Sequence, residues 1–164
     1  MESTRKLWEG FNVRRIYRFG CRMSERYCIL CVDDDVSGLE ARAALLEREG
    51  YSVTAVNCPL RALEFDVTKF HVAVLDFAMP ALNGFQLLLR LRAAHASFPI
   101  VLLSGMSRHI PNNMRSVFSS CLDKGESIDL LLSTIRSFLT LSPDPLESRI
   151  TGNNERPPYR SHRL

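Results

Sequence analysis

Acidic, basic and hydroxyl side chains follow four short apolar segments of this 164-residue sequence. A charge placed directly after an apolar run is costly to desolvate unless it lies at the exposed tip of a strand or meets a cation. We therefore interpret each segment as a strand and each polar group as lying at its carboxyl end. The groups are Asp33-Asp34-Asp35 after Tyr27–Val32, Asp76 after His71–Leu75, Ser104-Gly105 after Pro99–Leu103, and Asp123-Lys124-Gly125 after Ser120–Leu122.

This set of side chains fits the chemistry of a bound phosphoryl group. Carboxylates that converge at one edge repel each other unless a cation neutralises them, and oxygen-only ligands select a hard ion such as Mg²⁺. Ser104 can donate a hydrogen bond, and Lys124 offers a compact positive charge. A solvated loop, a surface charge or a helix cap would explain any one residue, but four strand ends together favour a phosphoryl pocket beside Asp76.

The elements that must position these groups follow from hydrophobic periodicity. Helical patterns alternate with the apolar segments, and one more segment has the alternation of a strand. Strands that alternate with helices form βαβ units, a parallel sheet and right-handed crossovers that cover both faces. The predicted fold is a doubly wound α/β three-layer sandwich, which binds polar ligands beyond the carboxyl ends of its strands. The additional elements are a strand at Tyr51–Val56, helices at Ser37–Glu49, Pro59–Phe65, Asn83–His95 and Ser127–Leu139, and a weak helix at Asn113–Phe118.

Charge is distributed unevenly along the chain. Residues 1–26 hold seven Arg or Lys against three Glu, whereas residues 27–140 hold ten basic and twelve acidic residues. We interpret 1–26 as a basic extension, either disordered or an over-extended gene start with Met23 as the first residue. Residues 27–140 form the domain, and the polar, Pro-rich segment 141–164 is expected to be a disordered tail.

The same composition argues against several classes of protein. The basic extension lacks a Lys/Arg run and a recognition-helix pattern, so nucleic-acid binding is not expected, and no apolar run is long enough for a membrane span. Five cysteines without a secretion signal indicate reduced thiols and a cytoplasmic location. Cys28 and Cys31 form a CxxC pair, but side chains three apart on a strand face opposite sides, which excludes a shared metal or redox site.

Four motifs, VDDD, LDFAMPALNG, LLSG and LDKG, occur in this order and resemble the receiver domain of two-component response regulators. The resemblance covers residues 27–140 and implies a flavodoxin-like five-stranded sheet with strand order 2-1-3-4-5. It implies that Asp76 is a phosphoacceptor that becomes an acyl phosphate. It further implies a Mg²⁺ site at Asp33, Asp34, Asp76 and the carbonyl of Ala78, and phosphoryl binding by Ser104, Lys124 and Gly105.

The resemblance also implies partners and a mode of action. A histidine kinase or a histidine phosphotransfer protein would donate the phosphoryl group, and a downstream protein would read the signal, with dimerisation on phosphorylation as one form of output. The domain would be no enzyme beyond self-directed phosphotransfer and autodephosphorylation. About two dozen residues follow Leu141, too few for an output domain. We therefore expect a single-domain regulator.

Three positions depart from the family pattern. Ser104 is expected to act as a switch residue, but its usual aromatic partner is replaced by Cys121, and Gly125 replaces a proline after the lysine. Pro111 and the asparagines that follow leave little room for a regular fourth helix. Two alternatives stay open at this point. A pseudo-receiver would bind partners without being phosphorylated, and a phosphatase or phosphotransferase would need a second acid where Ala78 stands.

Overall fold

Five strands form one parallel sheet in the order β2-β1-β3-β4-β5. The computed structural model describes residues 27–105 and 109–140, so the predictions made for the two tails lie outside the described residues. The doubly wound α/β class and the order 2-1-3-4-5 are confirmed. The strands are β1 (Cys28–Val32), β2 (Ser52–Val56), β3 (Val72–Leu75), β4 (Ile100–Ser104) and β5 (Ser120–Asp123).

Helices connect the strands, and the bounds of the long ones lie within about two residues of the predicted bounds. A short 3₁₀ helix at Val67–Lys69, capped by the side chain of Asp66, was not predicted. No helix in the described part of the chain is both long and apolar enough to cross a bilayer. The helices are α1 (Val36–Arg48), α2 (Pro59–Ala62), α3 (Gly84–Ala93), α4 (Asn112–Arg115) and α5 (Ile128–Thr140).

Strand residues alternate between two apolar cores, one on each face of the sheet, because successive side chains of a strand point to opposite faces. On β1, Leu30 and Val32 pack into the core under α2 and α3, whereas Ile29 and Cys31 pack into the core under α1 and α5. Burial on both faces explains why the strands are continuously apolar. The acidic residues of the sheet therefore occur only at or directly after the carboxyl ends of the strands.

The CxxC pair behaves as a pair of core residues. Cys28 belongs to one core and Cys31 to the other, so the two thiols lie on opposite faces of the sheet. Burial raises the pKa of the Cys31 thiol to about 12, which keeps it protonated and unreactive. No disulfide links the four cysteines of the described residues.

Helix α4 is a single turn. It spans Asn112–Arg115 and starts after Pro111, whose backbone occupies the cap position. The fourth helix is therefore short, as predicted from Pro111 and the two asparagines that follow it. Ile110 and Phe118, on either side of this turn, are buried in the core under α2 and α3, so the segment is anchored by apolar contacts despite its irregular backbone.

The loop between β3 and α3 contains one residue in a strained conformation. Asn83 caps α3 by accepting a hydrogen bond from the Gln86 backbone N–H, and the Gln86 side chain accepts one from the Asn83 N–H. Before this capping box, Ala81 adopts a φ of 68°, in the left-handed region that disfavours a residue with a Cβ. The positive φ of this loop thus lies at Ala81, two residues before the Asn83 cap of α3.

Replacing Ala81 with Gly is expected to raise the free energy of unfolding by about 1 kcal/mol, because glycine removes the left-handed strain. Chemical denaturation measures this change. Ala44→Gly on the exposed side of α1 is the matched control and should lower the stability by about the same amount. A loss of stability in Ala81→Gly would contradict the assignment of strain.

Candidate functional site

Backbone hydrogen bonds hold the carboxyl ends of the strands in register. The Asp76 N–H donates to the Val32 carbonyl at 2.8 Å, and the Lys124 N–H donates to the Ser104 carbonyl at 3.0 Å. The order of the strands places β1 and β3 side by side, with β4 and β5 next to them. The polar residues at these strand ends therefore share one edge of the sheet: Asp33, Asp34, Asp76, Ser104 and Lys124.

Lys124 bridges two buried carboxylates. Its Nζ lies 2.9 Å from Asp33 Oδ2 and 3.2 Å from Asp76 Oδ1. Asp33 is fully buried, Asp76 is 5% exposed, and the Lys124 side chain is 29% exposed. The cation thus reaches from the rim of the site to two buried charges, so removal of Lys124 would leave the Asp76 carboxylate buried without this cation.

Three carboxylates converge at this edge. One oxygen from each of Asp33, Asp34 and Asp76 can be chosen so that all three lie within 4.8 Å of one another. Asp34 is exposed, whereas the other two are buried, so the cluster opens to solvent on the side of Asp34. An oxygen-only donor set of this size, with room for water on one side, fits Mg²⁺, which prefers carboxylates and keeps several waters.

Arg42 also reaches this cluster, and sequence reasoning missed it. Its Nη1 and Nη2 each lie 3.1 Å from Asp33 Oδ2, and its side chain is only 9% exposed. Two sequence patterns could have indicated this contact between Arg42 and Asp33. Asp33 continues the alternation of Ile29 and Cys31, which face α1, and Arg42 lies on the same side of α1 as the buried Leu39 and Leu46.

The remaining predicted site residues lie around the edge. Ser104 is the last residue of β4 and is 2% exposed, and Gly105 follows it in an exposed position where an added Cβ would meet no atom within 4 Å. Ala78 is exposed in the loop two residues after Asp76. Cys121 lies half-buried inside β5, and its Sγ donates to the Arg115 carbonyl at 3.5 Å.

Gly84 permits the close approach of α3 to the Asp76 backbone. A Cβ at this position would lie 2.4 Å from the Asp76 carbonyl oxygen and 3.2 Å from Phe77 Cα, both backbone atoms. The Gly84 N–H also donates to the Phe77 carbonyl at 2.9 Å. The spacing from Asp76 to Gly84 in the sequence therefore reflects a packing requirement of the loop that carries the acid.

The surroundings shift two pKa values in the site. Burial raises the pKa of Asp76, and the neighbouring Asp33 raises it further, while Lys124 and the Phe77 N–H oppose the shift. Burial lowers the pKa of Lys124, but its hydrogen bonds and charge attraction to Asp33 and Asp76 outweigh this effect and raise it. Lys124 therefore stays positively charged, and Asp76 holds a proton more readily than an ordinary aspartate does.

A folded-state pKa above the ordinary value of 3.8 means that the native protein binds the Asp76 proton more tightly than the unfolded chain does. The wild type should therefore lose stability as the pH rises from 3.8 through the raised value, in solutions without divalent ions. Asp76→Asn, which resembles the protonated acid, should be more stable than wild type at neutral pH, because it removes the cost of burying the charge. Denaturation as a function of pH measures the pH dependence of the wild type and the stability difference between wild type and Asp76→Asn. Glu40→Gln, at an exposed position on α1, is the control. An Asp76→Asn variant less stable than wild type at neutral pH would contradict the shift.

Curated proteins with similar sequences include regulators from bacteria and plants. The chain is 30% identical over 119 residues to the transcriptional regulatory protein CpxR homolog of Haemophilus influenzae, covering 71% of this chain and 52% of that protein. It is 33% identical to the two-component response regulator ORR3 of Oryza sativa subsp. japonica, covering 66% of this chain and 80% of that protein. The chain thus spans about half the length of the CpxR homolog.

Solved structures with the same fold include two with at least a quarter of their residues identical. The response regulator StyR is 29% identical with a TM-score of 0.66, covering 77% of this chain and 65% of that one. The Francisella response regulator 1452 receiver domain is 25% identical with a TM-score of 0.62, covering 71% of this chain and 98% of that one. A family model, that of the response regulator receiver domain, matches residues 29–136. Since this match runs from β1 into α5 and covers well over half of the chain, the chain belongs to the response regulator receiver domain family.

Proposed function

We propose that Asp76 accepts a phosphoryl group from a histidine kinase or a histidine phosphotransfer protein. The phosphorylated domain then relays a two-component signal by phosphotransfer or by binding a protein. One observation carries this proposal. A nearly buried Asp76 lies at the end of β3 with Lys124 Nζ at 3.2 Å, beside two further carboxylates. Relatives named as two-component response regulators support it.

The transfer needs one bond to form and one to break. An Asp76 carboxylate oxygen attacks phosphorus in line, the new O–P bond forms, and the P–N bond to the donor histidine breaks. The electron pair of that bond stays on the imidazole nitrogen. Hydrolysis by water later releases inorganic phosphate and restores the carboxylate. Phosphoryl transfer depends on position and charge more than on covalent machinery.

The residues around Asp76 hold the group that is transferred. Lys124 would move its charge from the Asp76 carboxylate to a phosphoryl oxygen, and the Ser104 hydroxyl would donate to another. Gly105, where an added side chain would meet only open space, gives the phosphoryl group access to the backbone. Such pre-positioned donors stabilise developing negative charge in the transition state.

The acidic cluster would hold Mg²⁺. Asp34 and Asp76 would bind it through carboxylate oxygens, Asp33 through water, and Ala78 through its carbonyl. When bound, the ion neutralises charge on the phosphoryl oxygens. The exposed position of Asp34 supports this assignment, because the ion keeps part of its hydration shell.

The signal would leave through β4 and β5. A Ser104 hydroxyl drawn toward the phosphoryl group pulls the end of β4, next to β5. Cys121 occupies the position of the expected aromatic switch, and its thiol is tied to Arg115 at the end of α4. The single-turn α4 would then move together with its flanking loop. Binding of a protein partner or of a second copy to this surface would be the output.

The single turn of α4 and the thiol at position 121 also favour a second candidate, a pseudo-receiver that binds its partner without phosphate. Turnover of an outside substrate is less favoured, because Ala78 stands where a phosphatase or phosphotransferase would have its second acid. Both candidates predict no lasting adduct on this chain, so a measurement of phosphoryl uptake separates them from the proposal.

Intact mass after incubation with acetyl phosphate tests the proposal. The wild type should gain one phosphoryl group with Mg²⁺ and none with a chelator. Asp34→Asn should lose most of the uptake, whereas Asp35→Asn, the neighbouring exposed acid outside the cluster, should keep it. No adduct in the wild type under either condition, with a phosphorylated histidine phosphotransfer protein also inactive as donor, would overturn the proposal and support the pseudo-receiver.

A further inference from the structure

Asp33 is held by four donors although it is only one carboxylate. Both terminal nitrogens of Arg42 and the Lys124 Nζ contact its Oδ2, at 3.1, 3.1 and 2.9 Å. Its Oδ1 accepts from the Asp35 N–H at 3.0 Å. The side chains of Asp33 and Arg42 are 1% and 9% exposed, so this pairing is buried. Lys124 is shared with Asp76, whereas Nη1 and Nη2 of Arg42 both donate to Asp33.

The guanidinium changes the charge of the acidic cluster. Three carboxylates and Lys124 alone would leave two negative charges at the edge of the sheet, and Arg42 reduces this to one. Arginine does not lose its proton under ordinary conditions, so its charge is permanent. A divalent cation that enters the cluster therefore meets a fixed positive charge already bound to one of the carboxylates.

The local structure makes room for this arrangement. Gly38 lies one turn before Arg42 on α1, and a Cβ there would lie 2.7 Å from Asp35 Oδ2 and 3.9 Å from Arg42 Nη2. The guanidinium lines a groove of about 420 Å³ together with Asp35, Gly38 and Lys124. An added Cβ would crowd the Asp35 side chain, whereas 3.9 Å from Arg42 Nη2 is an ordinary van der Waals contact.

We propose that Arg42 is a positioning residue that acts as an internal counter-cation of the acidic cluster: it fixes the Asp33 carboxylate and weakens Mg²⁺ binding by competing for its charge. This inference rests on the proposed Mg²⁺ site. After phosphorylation, the dianionic phosphoryl group adds negative charge, and Arg42 then completes the neutralisation of the loaded site. Arg42 thus favours Mg²⁺ binding together with the phosphoryl group over binding of Mg²⁺ alone.

If the positive charge of Arg42 weakens Mg²⁺ binding, removal of that charge must strengthen the binding. Arg42→Gln keeps a long polar side chain without the charge, and Arg42→Lys keeps the charge without the fork of two nitrogens. Arg48→Gln, an exposed position on the same helix, is the matched control.

The test is calorimetric titration of each folded variant with MgCl₂ alone, with no phosphodonor present. Arg42→Gln should bind Mg²⁺ with a Kd roughly tenfold lower than that of the wild type, because a fixed charge near the ion is gone. Arg42→Lys and Arg48→Gln should stay within about twofold of wild type. Without Mg²⁺, Arg42→Gln should melt at a lower temperature than the wild type. Addition of Mg²⁺ should raise the melting temperature of Arg42→Gln by more than it raises that of the wild type.

The outcomes separate this inference from the proposed function. Equal or weaker Mg²⁺ binding by a folded Arg42→Gln, with normal binding by the wild type, would overturn the role of Arg42 and leave the Mg²⁺ site intact. Tighter binding by Arg42→Lys as well as Arg42→Gln would assign the effect to the shape of the side chain and would also overturn it. If neither the wild type nor Arg42→Gln binds Mg²⁺, both the site and this inference fail.

Discussion

Replacing Lys124 with Met should slow phosphoryl uptake from acetyl phosphate about 10²-fold. Methionine keeps the length of the side chain but removes the charge that lies 3.2 Å from Asp76 Oδ1. The transferred phosphoryl group then lacks one of the cations that neutralise its oxygens. Mass spectrometry over a time course, at saturating Mg²⁺, measures the rate.

The control for this variant is Lys69→Met. Lys69 is an exposed lysine in a surface ion pair with Asp66 at 3.9 Å, so the substitution should leave the rate of uptake unchanged. Lys124→Met should still bind Mg²⁺, because Lys124 is not among the acidic ligands. A rate for Lys124→Met within a few-fold of wild type would contradict the role assigned to this lysine.

The second large effect is expected at Gly84. Alanine there should lower the free energy of unfolding by about 2–3 kcal/mol, since its Cβ would overlap the backbone of the strand end. The nearest atom would be the Asp76 carbonyl oxygen at 2.4 Å, and a backbone atom cannot rotate away as a side chain can. Chemical denaturation measures the loss.

Helix propensity alone predicts the opposite sign, because alanine stabilises a helix relative to glycine by about 1 kcal/mol. Gly105→Ala is the matched control for stability, as an added Cβ there meets no atom within 4 Å. A Gly84→Ala protein as stable as the wild type would mean that α3 can move away from Asp76 at little cost, and the close approach would not define the loop.

Most of the fold could be predicted because its elements depend on local patterns. Continuous apolar segments gave the strands, and Leu87, Leu88 and Leu91 gave the buried face of α3. The order of the strands came from the family resemblance, whose motifs also placed the acids. The 3₁₀ helix at Val67–Lys69 was missed because three residues capped by an aspartate carry no periodicity.

The parts of the site that could not be predicted depend on contacts between distant segments. Arg42 looks like a surface residue in the sequence, and only the packing of α1 on β1 brings it to Asp33. Ala81 was not recognised as strained because alanine is not a turn residue, yet the loop gives it a positive φ. Such features arise from tertiary structure, which overrides local preference.

The extent of the functional unit stays a prediction. A single-domain regulator was expected from the sequence, and the CpxR homolog, of which this chain covers 52%, is a longer protein named as a transcriptional regulator. The plant relative ORR3 is matched over 80% of its length. Neither comparison assigns an output to this chain.

The most direct test of the account is the position of the phosphoryl group. The protein is phosphorylated with acetyl phosphate and Mg²⁺ and then treated with borohydride, which reduces an aspartyl phosphate to homoserine. Peptide mass spectrometry locates the reduced residue. The account predicts homoserine at position 76 and at no other aspartate of the cluster. Reduction at Asp33, Asp34 or Asp35 in its place, or a stable phosphate on a serine such as Ser104, would contradict it.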